Sequence, residues 1–127
     1  MPESFSSDSL ALEDSVMAGR APTFDEARLL RALAEIAGEP ASWVDALRVE
    51  DMNDGGMGSL RVLPGRESRR GGIRCTACVQ FTDEDGIEVI ASLYASAGGT
   101  PFELDVWKTD FSAVIRIADE FRKVVEA

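Results

Sequence analysis

Between residues 23 and 37 the apolar side chains recur at helical spacing. Leu29, Leu30, Leu33, Ile36 and Ala37 form one stripe, the signature of a helix lying on a core. Thr23 followed three residues later by Glu26 is a capping box, so the helix starts there. Asp25 and Glu26 suit the positive end of its dipole. Gly38 and Pro40 stop it.

The period then changes. Residues 44–52 predict a strand with imperfect alternation, and residues 59–63 a short one. From residue 73 the alternation is regular. Ile73, Cys75, Ala77, Val79 and Phe81 are predicted to face inward, with Arg74, Thr76, Cys78, Gln80 and Thr82 outward, as in a half-buried strand. The run Asp83-Glu84-Asp85-Gly86 has turn chemistry. Ile87, Val89, Ala91 and Leu93 give the inward face of the next strand. After a glycine turn at residues 96–100, Phe102, Leu104 and Val106 give that of the last one. Asp110 or Ser112 can cap a final helix, with Phe111, Val114, Ile115, Ala118, Phe121 and Val125 as its stripe and Lys123 near its negative end.

Short turns require antiparallel neighbours. The expected fold is therefore α+β: an antiparallel sheet of about five strands flanked by an N-terminal and a C-terminal helix, with the second sheet face open or only partly covered. Residues 1–21, rich in Ser, Asp and Glu, read as a flexible tail with a short helix around residues 10–17. Residues 22–127 read as one domain. A chain of 127 residues, 45% hydrophobic, can bury a core of that size.

No apolar run approaches the ~20 residues needed to span a bilayer. Residues 1–19 have neither a basic start nor an apolar core, so they do not read as a secretory signal. A cytoplasmic protein without membrane contact is expected. The net charge of −10 and the absence of histidine narrow the chemistry. Nucleic-acid phosphates would be repelled, and Ser-His-Asp or Cys-His catalysis in its usual form is excluded. An acidic surface suits solubility, and equally a basic protein partner. Against this background Arg61, Arg66, Arg69, Arg70 and Arg74 face only Glu67 between residues 61 and 74, a local excess of four positive charges. Arg66, Arg69, Arg70 and Arg74 could hold a small anion; a solvated loop is the plainer reading.

Three glycines crowd residues 53–60. A phosphate loop there would need a following lysine, which the sequence lacks. A calcium loop matches at Asp51, Asn53 and Gly56 but fails at Gly55 and Val62, its fifth and twelfth positions. A tight turn between two strands, with Asp54-Gly55 supplying positive φ, is expected. Cys75 and Cys78 have redox and zinc spacing. On a regular strand, however, residues three apart face opposite ways, which places Cys75 in the core and Cys78 outside. No second cysteine pair completes a zinc site, so no metal and no cofactor are expected. Glu103 and Asp105 share one strand face, Asp83 and Asp85 one turn. Either pair could serve a carboxylate-dependent enzyme only in a cleft. The face of Glu103 and Asp105 also carries Trp107, and beside it Tyr94 and Ile90. Aromatic residues beside acids on an open sheet suit protein binding, unless the tail or the arginine loop folds over them.

The stretch Asp54-Gly55-Gly56-Met57-Gly58-Ser59-Leu60, then Phe81-Thr82-Asp83-Glu84-Asp85-Gly86, then Phe102-Glu103-Leu104-Asp105-Val106-Trp107-Lys108-Thr109-Asp110-Phe111 resembles a family of small bacterial domains of unknown function, over roughly residues 24–117. The resemblance implies no established chemistry. Domains of this type are similar to immunity proteins, which neutralise toxins used in contact-dependent competition. That analogy implies a non-enzymatic, acidic inhibitor of a basic toxin domain, monomeric or homodimeric. Its expected contacts are Asp54, Asp83, Asp85, Glu103, Asp105 and Trp107. The alternatives are a regulatory domain that holds a small anionic ligand, and less readily a carboxylate enzyme.

Overall fold

The computed structural model describes residues 19–63 and 72–124. The expected tail up to residue 18, with its short helix, and three of the four loop arginines (Arg66, Arg69, Arg70) lie outside the described residues.

The first helix, α1, is Phe24–Ala37. Both arms of the capping box form: Glu26 N–H donates to Thr23 Oγ1 at 3.1 Å, and Thr23 N–H to Glu26 Oε1 at 2.9 Å. Gly38 closes the helix in the left-handed region, as a C-terminal glycine does. Replacing Thr23 by alanine removes a cap and is expected to cost about 1 kcal/mol. Urea denaturation would read this as an unchanged slope with a lower midpoint.

Leu29, Leu30, Leu33 and Ala34 are the buried residues of α1. They join Val49, Leu60, Val62, Ala77, Val79, Phe81, Val89, Ala91, Leu93, Leu104 and Val106 in one core on the inner face of the sheet. The strands are β1 (Arg48–Asp51), β2 (Leu60–Leu63), β3 (Ile73–Thr82), β4 (Glu88–Ser96), β5 (Pro101–Lys108) and β6 (Arg122–Lys123). They pair in the order β1-β2-β5-β4-β3-β6, antiparallel throughout. The fold is α+β, with six strands rather than about five. Among the described residues no helix is long and apolar enough to cross a membrane.

Three expectations are corrected. The strand predicted over residues 44–52 begins instead with a helical turn, α2 (Ser42–Asp45), and becomes extended only at Arg48. Pro40 initiates this turn by accepting from Trp43 N–H at 3.0 Å. The last residues of the expected tail are paired: Arg20 and Val49 exchange backbone hydrogen bonds of 2.8 and 2.7 Å. Gly19 meets this edge so closely that a Cβ would lie 2.7 Å from the Val49 carbonyl oxygen.

The third correction is the largest. The described residues after β5 form no helix. Phe111 takes φ 67°, outside the helical region. The amide groups beyond it bond to distant parts of the fold. Val114 N–H donates to the Gly56 carbonyl at 3.2 Å, and Ile115 and Arg116 N–H donate to the Asp83 carboxylate at 2.7 and 3.1 Å. The carbonyls of Ile117 and Ala118 accept from Arg28 Nη2. Tertiary partners have replaced the i→i−4 ladder. Val114, Ile117, Ala118 and Phe121 still pack against the core, so the apolar spacing is satisfied by an extended strap that ends as β6 on β3.

Candidate functional site

The inner face of the sheet is taken by α1. The other face can be read row by row from the strand register. One row runs Glu50, Arg61, Glu103, Tyr94, Cys75 across β1, β2, β5, β4 and β3; the next runs Asp105, Ser92, Cys78; the third runs Trp107, Ile90, Gln80 and ends at Arg122 on β6. Directly opposed residues share a face. The predicted alternation therefore brings Glu103, Asp105 and Trp107 together as expected, beside Tyr94 and Ile90.

Trp107 is 38% exposed, and its ring lies 6.0 Å from that of Phe111, tilted by 55°. Phe111 is 70% exposed. At the far end, Ile73, Tyr94, Glu103 and Asp105 line a shallow depression of about 370 Å³. Two aromatic or apolar ends thus bracket two half-buried carboxylates. Burial pushes the Asp105 carboxyl above its ordinary range, the charge of Asp54 pushes the same way, and a hydrogen bond from Ser59 only partly opposes them. Burial likewise raises the Tyr94 hydroxyl. Among the described residues no ion pair is formed by Glu103 or Asp105. Arg61 stands directly across from Glu103, whereas Ser92 stands across from Asp105.

The remaining predicted contacts are elsewhere. Asp54 sits in the loop between β1 and β2, where its Oδ2 accepts from Ser59 N–H at 2.8 Å. That carboxylate closes the glycine turn, whose backbone hydrogen bond from Met52 N–H to the Ser59 carbonyl spans 3.1 Å. Gly56, at φ 87°, is where the strap arrives: a Cβ there would lie 3.1 Å from the Ala113 Cβ. The glycine segment is thus a strand-to-strand turn that lets another segment dock.

Asp83 is not available to a partner, being 3% exposed. Its Oδ2 accepts from Lys108 Nζ at 2.8 Å, and Lys108 Nζ also donates to Asp85 Oδ2 at 2.7 Å and to the Ala113 carbonyl at 3.1 Å. Asp85 remains partly exposed at the rim of this knot. Desolvation alone would raise the Asp83 carboxyl. The hydrogen bonds from Lys108 and from the Ile115, Glu84 and Arg116 amides outweigh it and hold the group at about 2, against an ordinary 3.8. Arg74 is exposed at the start of β3.

Sequence reasoning missed two residues. Lys108 was legible: it falls in the inward phase of Phe102, Leu104 and Val106, and a lysine there demands a buried carboxylate. Phe111 carried no such signal, because its exposure depends on the helix that does not form. The expected inward placement of Cys75 also fails, because β3 shifts register between Cys75 and Ala77. Cys75 opposes Tyr94 and Cys78 opposes Ser92, so both residues lie on the face opposite α1.

A family model described as "Domain of unknown function (DUF6984)" matches residues 19–118. No curated protein and no solved structure matches the chain.

Proposed function

The chain belongs to that family of unknown function, and on this premise we propose that it is a non-enzymatic protein-binding module, an immunity-type inhibitor of a basic bacterial toxin domain. The observation that carries the reading is the open sheet face, where exposed Trp107 and Phe111 stand beside Glu103 and Asp105. Aromatic side chains with limited rotameric freedom are favoured binding anchors. A chain of net charge −10 steers a cationic partner toward itself and speeds association. The contact set narrows to Glu103, Asp105, Trp107 and Phe111, with Asp54 and Asp85 at its margins.

The test is co-expression. The product of the gene adjoining this one should arrest growth when expressed alone and should be neutralised by this protein. An adjoining product that is harmless, or whose toxicity this protein leaves unchanged, would refute the assignment.

A further inference from the structure

We propose that the strap is an exchangeable arm: two copies of this chain trade residues 113–124 about a hinge at residues 109–112 and form a domain-swapped dimer. The inference is independent of the docking face. Phe111, at φ 67°, is the one non-glycine residue held in the left-handed region among the described residues. An L side chain there crowds the following carbonyl. The turn that holds it is closed by Phe111 N–H donating to the Lys108 carbonyl at 2.7 Å and by Ser112 N–H donating to Asp110 Oδ1 at 3.0 Å. Burial returns little, because Phe111 is 70% exposed. Short hinge loops under strain invite swapping, since straightening them relaxes both chains at once.

Beyond the hinge the strap bonds to the body along its length. The Ala113 carbonyl accepts from Lys108 Nζ, Val114 N–H donates to Gly56, Ile115 and Arg116 N–H donate to Asp83, and the Ile117 and Ala118 carbonyls accept from Arg28. Phe121 sets its ring edge-on to Phe81, with centroids 5.8 Å apart, and β6 pairs with Val79 and Gln80. Each contact joins two parts of one chain, so the body of a second copy offers the same set of partners. That complementarity makes the occupant a second copy.

Lys108 stays fixed to its own Asp83 and Asp85, which sets where the hinge begins. Extended, the chain from Lys108 to Ala113 spans roughly 17 Å, so the two bodies sit side by side with their hinges crossing. Closure within one chain has an effective concentration on the order of millimolar. Monomers therefore dominate in dilute solution, and the dimer forms where protein concentration approaches that scale.

The test takes the reduced full chain at millimolar concentration through partial unfolding in urea, returns it to buffer and measures mass by light scattering after gel filtration. The wild type should yield a dimer whose share rises with concentration. Phe111→Gly removes the strain and should raise the dimer dissociation constant roughly 30-fold, equivalent to about 1 kcal/mol at each of two hinges. Exchange itself is read by Gln80→Cys with Arg122→Cys, a directly opposed pair of β3 and β6, in a Cys75→Ser, Cys78→Ser background. After oxidation the dimer fraction should run as covalently joined chains on a denaturing gel and the monomer fraction as single chains. Protein that stays monomeric at every concentration, dimers whose chains separate on that gel, or Phe111→Gly dimerising as readily as the wild type would each overturn the proposal.

Discussion

Replacing Asp83 by alanine is expected to destabilise the domain by about 3–5 kcal/mol, the range for breaking one side of a buried ion pair. The carboxylate is fully enclosed, and its loss leaves two strap amides without their acceptor and the buried Lys108 cation with only Asp85 and the Ala113 carbonyl. Global stability of a domain this size is only about 5–15 kcal/mol, so the variant should sit near the edge of folding at 37 °C. Adding Lys108→Met should restore part of the lost melting temperature, because the buried cation is gone and the carboxylate that loses its partner, Asp85, is partly exposed to water. A single variant that melts like the wild type would show that the knot contributes nothing. Acid should act on the same group. Its folded value, about 2, lies below the ordinary 3.8. The contribution is therefore complete above the ordinary value and is lost as the pH falls from about 4 toward 2. Denaturation midpoints measured across that interval should fall more steeply for the wild type than for Asp83→Ala.

Trp107→Ala should leave the fold nearly intact and damage binding. Its side chain is on the open face, outside the core, so the stability change should be small. If the Trp107–Phe111 pair anchors the partner, truncation should weaken the complex by about 2–4 kcal/mol, as at interface hot spots, or roughly 30- to 1000-fold in Kd. Titration calorimetry against the adjoining gene's product would read it, alongside the growth assay. Binding unchanged by Trp107→Ala would move the interface off this face.

Most of the architecture was legible because it is local. The capping box at Thr23 and Glu26, the stripe of α1 and the alternation of β4 and β5 are written at short range, and the structure follows them. The strap after Asp110 was not legible. Phe111, Val114, Ala118 and Phe121 have helical spacing, and only an acceptor some thirty residues upstream, Asp83, captures the amides a helix would use. The β3 irregularity was hidden for a different reason. One extra residue reverses the facing of everything before it, so Cys75 reads as core although Ala77, Val79 and Phe81 were read correctly. The open face emerged because Glu103, Asp105 and Trp107 share a period of two. Its aromatic partner Phe111 belongs to the segment whose conformation was misread.

The irregular stretch of β3 also bears on how the sheet avoids growing. An antiparallel sheet ends in two strands whose unpaired amides and carbonyls can template another chain. On one side, Arg20 occupies β1 at Val49. On the other, β6 covers Val79 and Gln80, Val124 N–H reaches the Cys78 carbonyl, and the kink between Cys75 and Ala77 interrupts the regular ladder further along β3. A straightened β3 would present a longer, flatter rim carrying the exposed Ile73. The extra residue therefore breaks the flat rim that an uninterrupted β3 would offer to another chain.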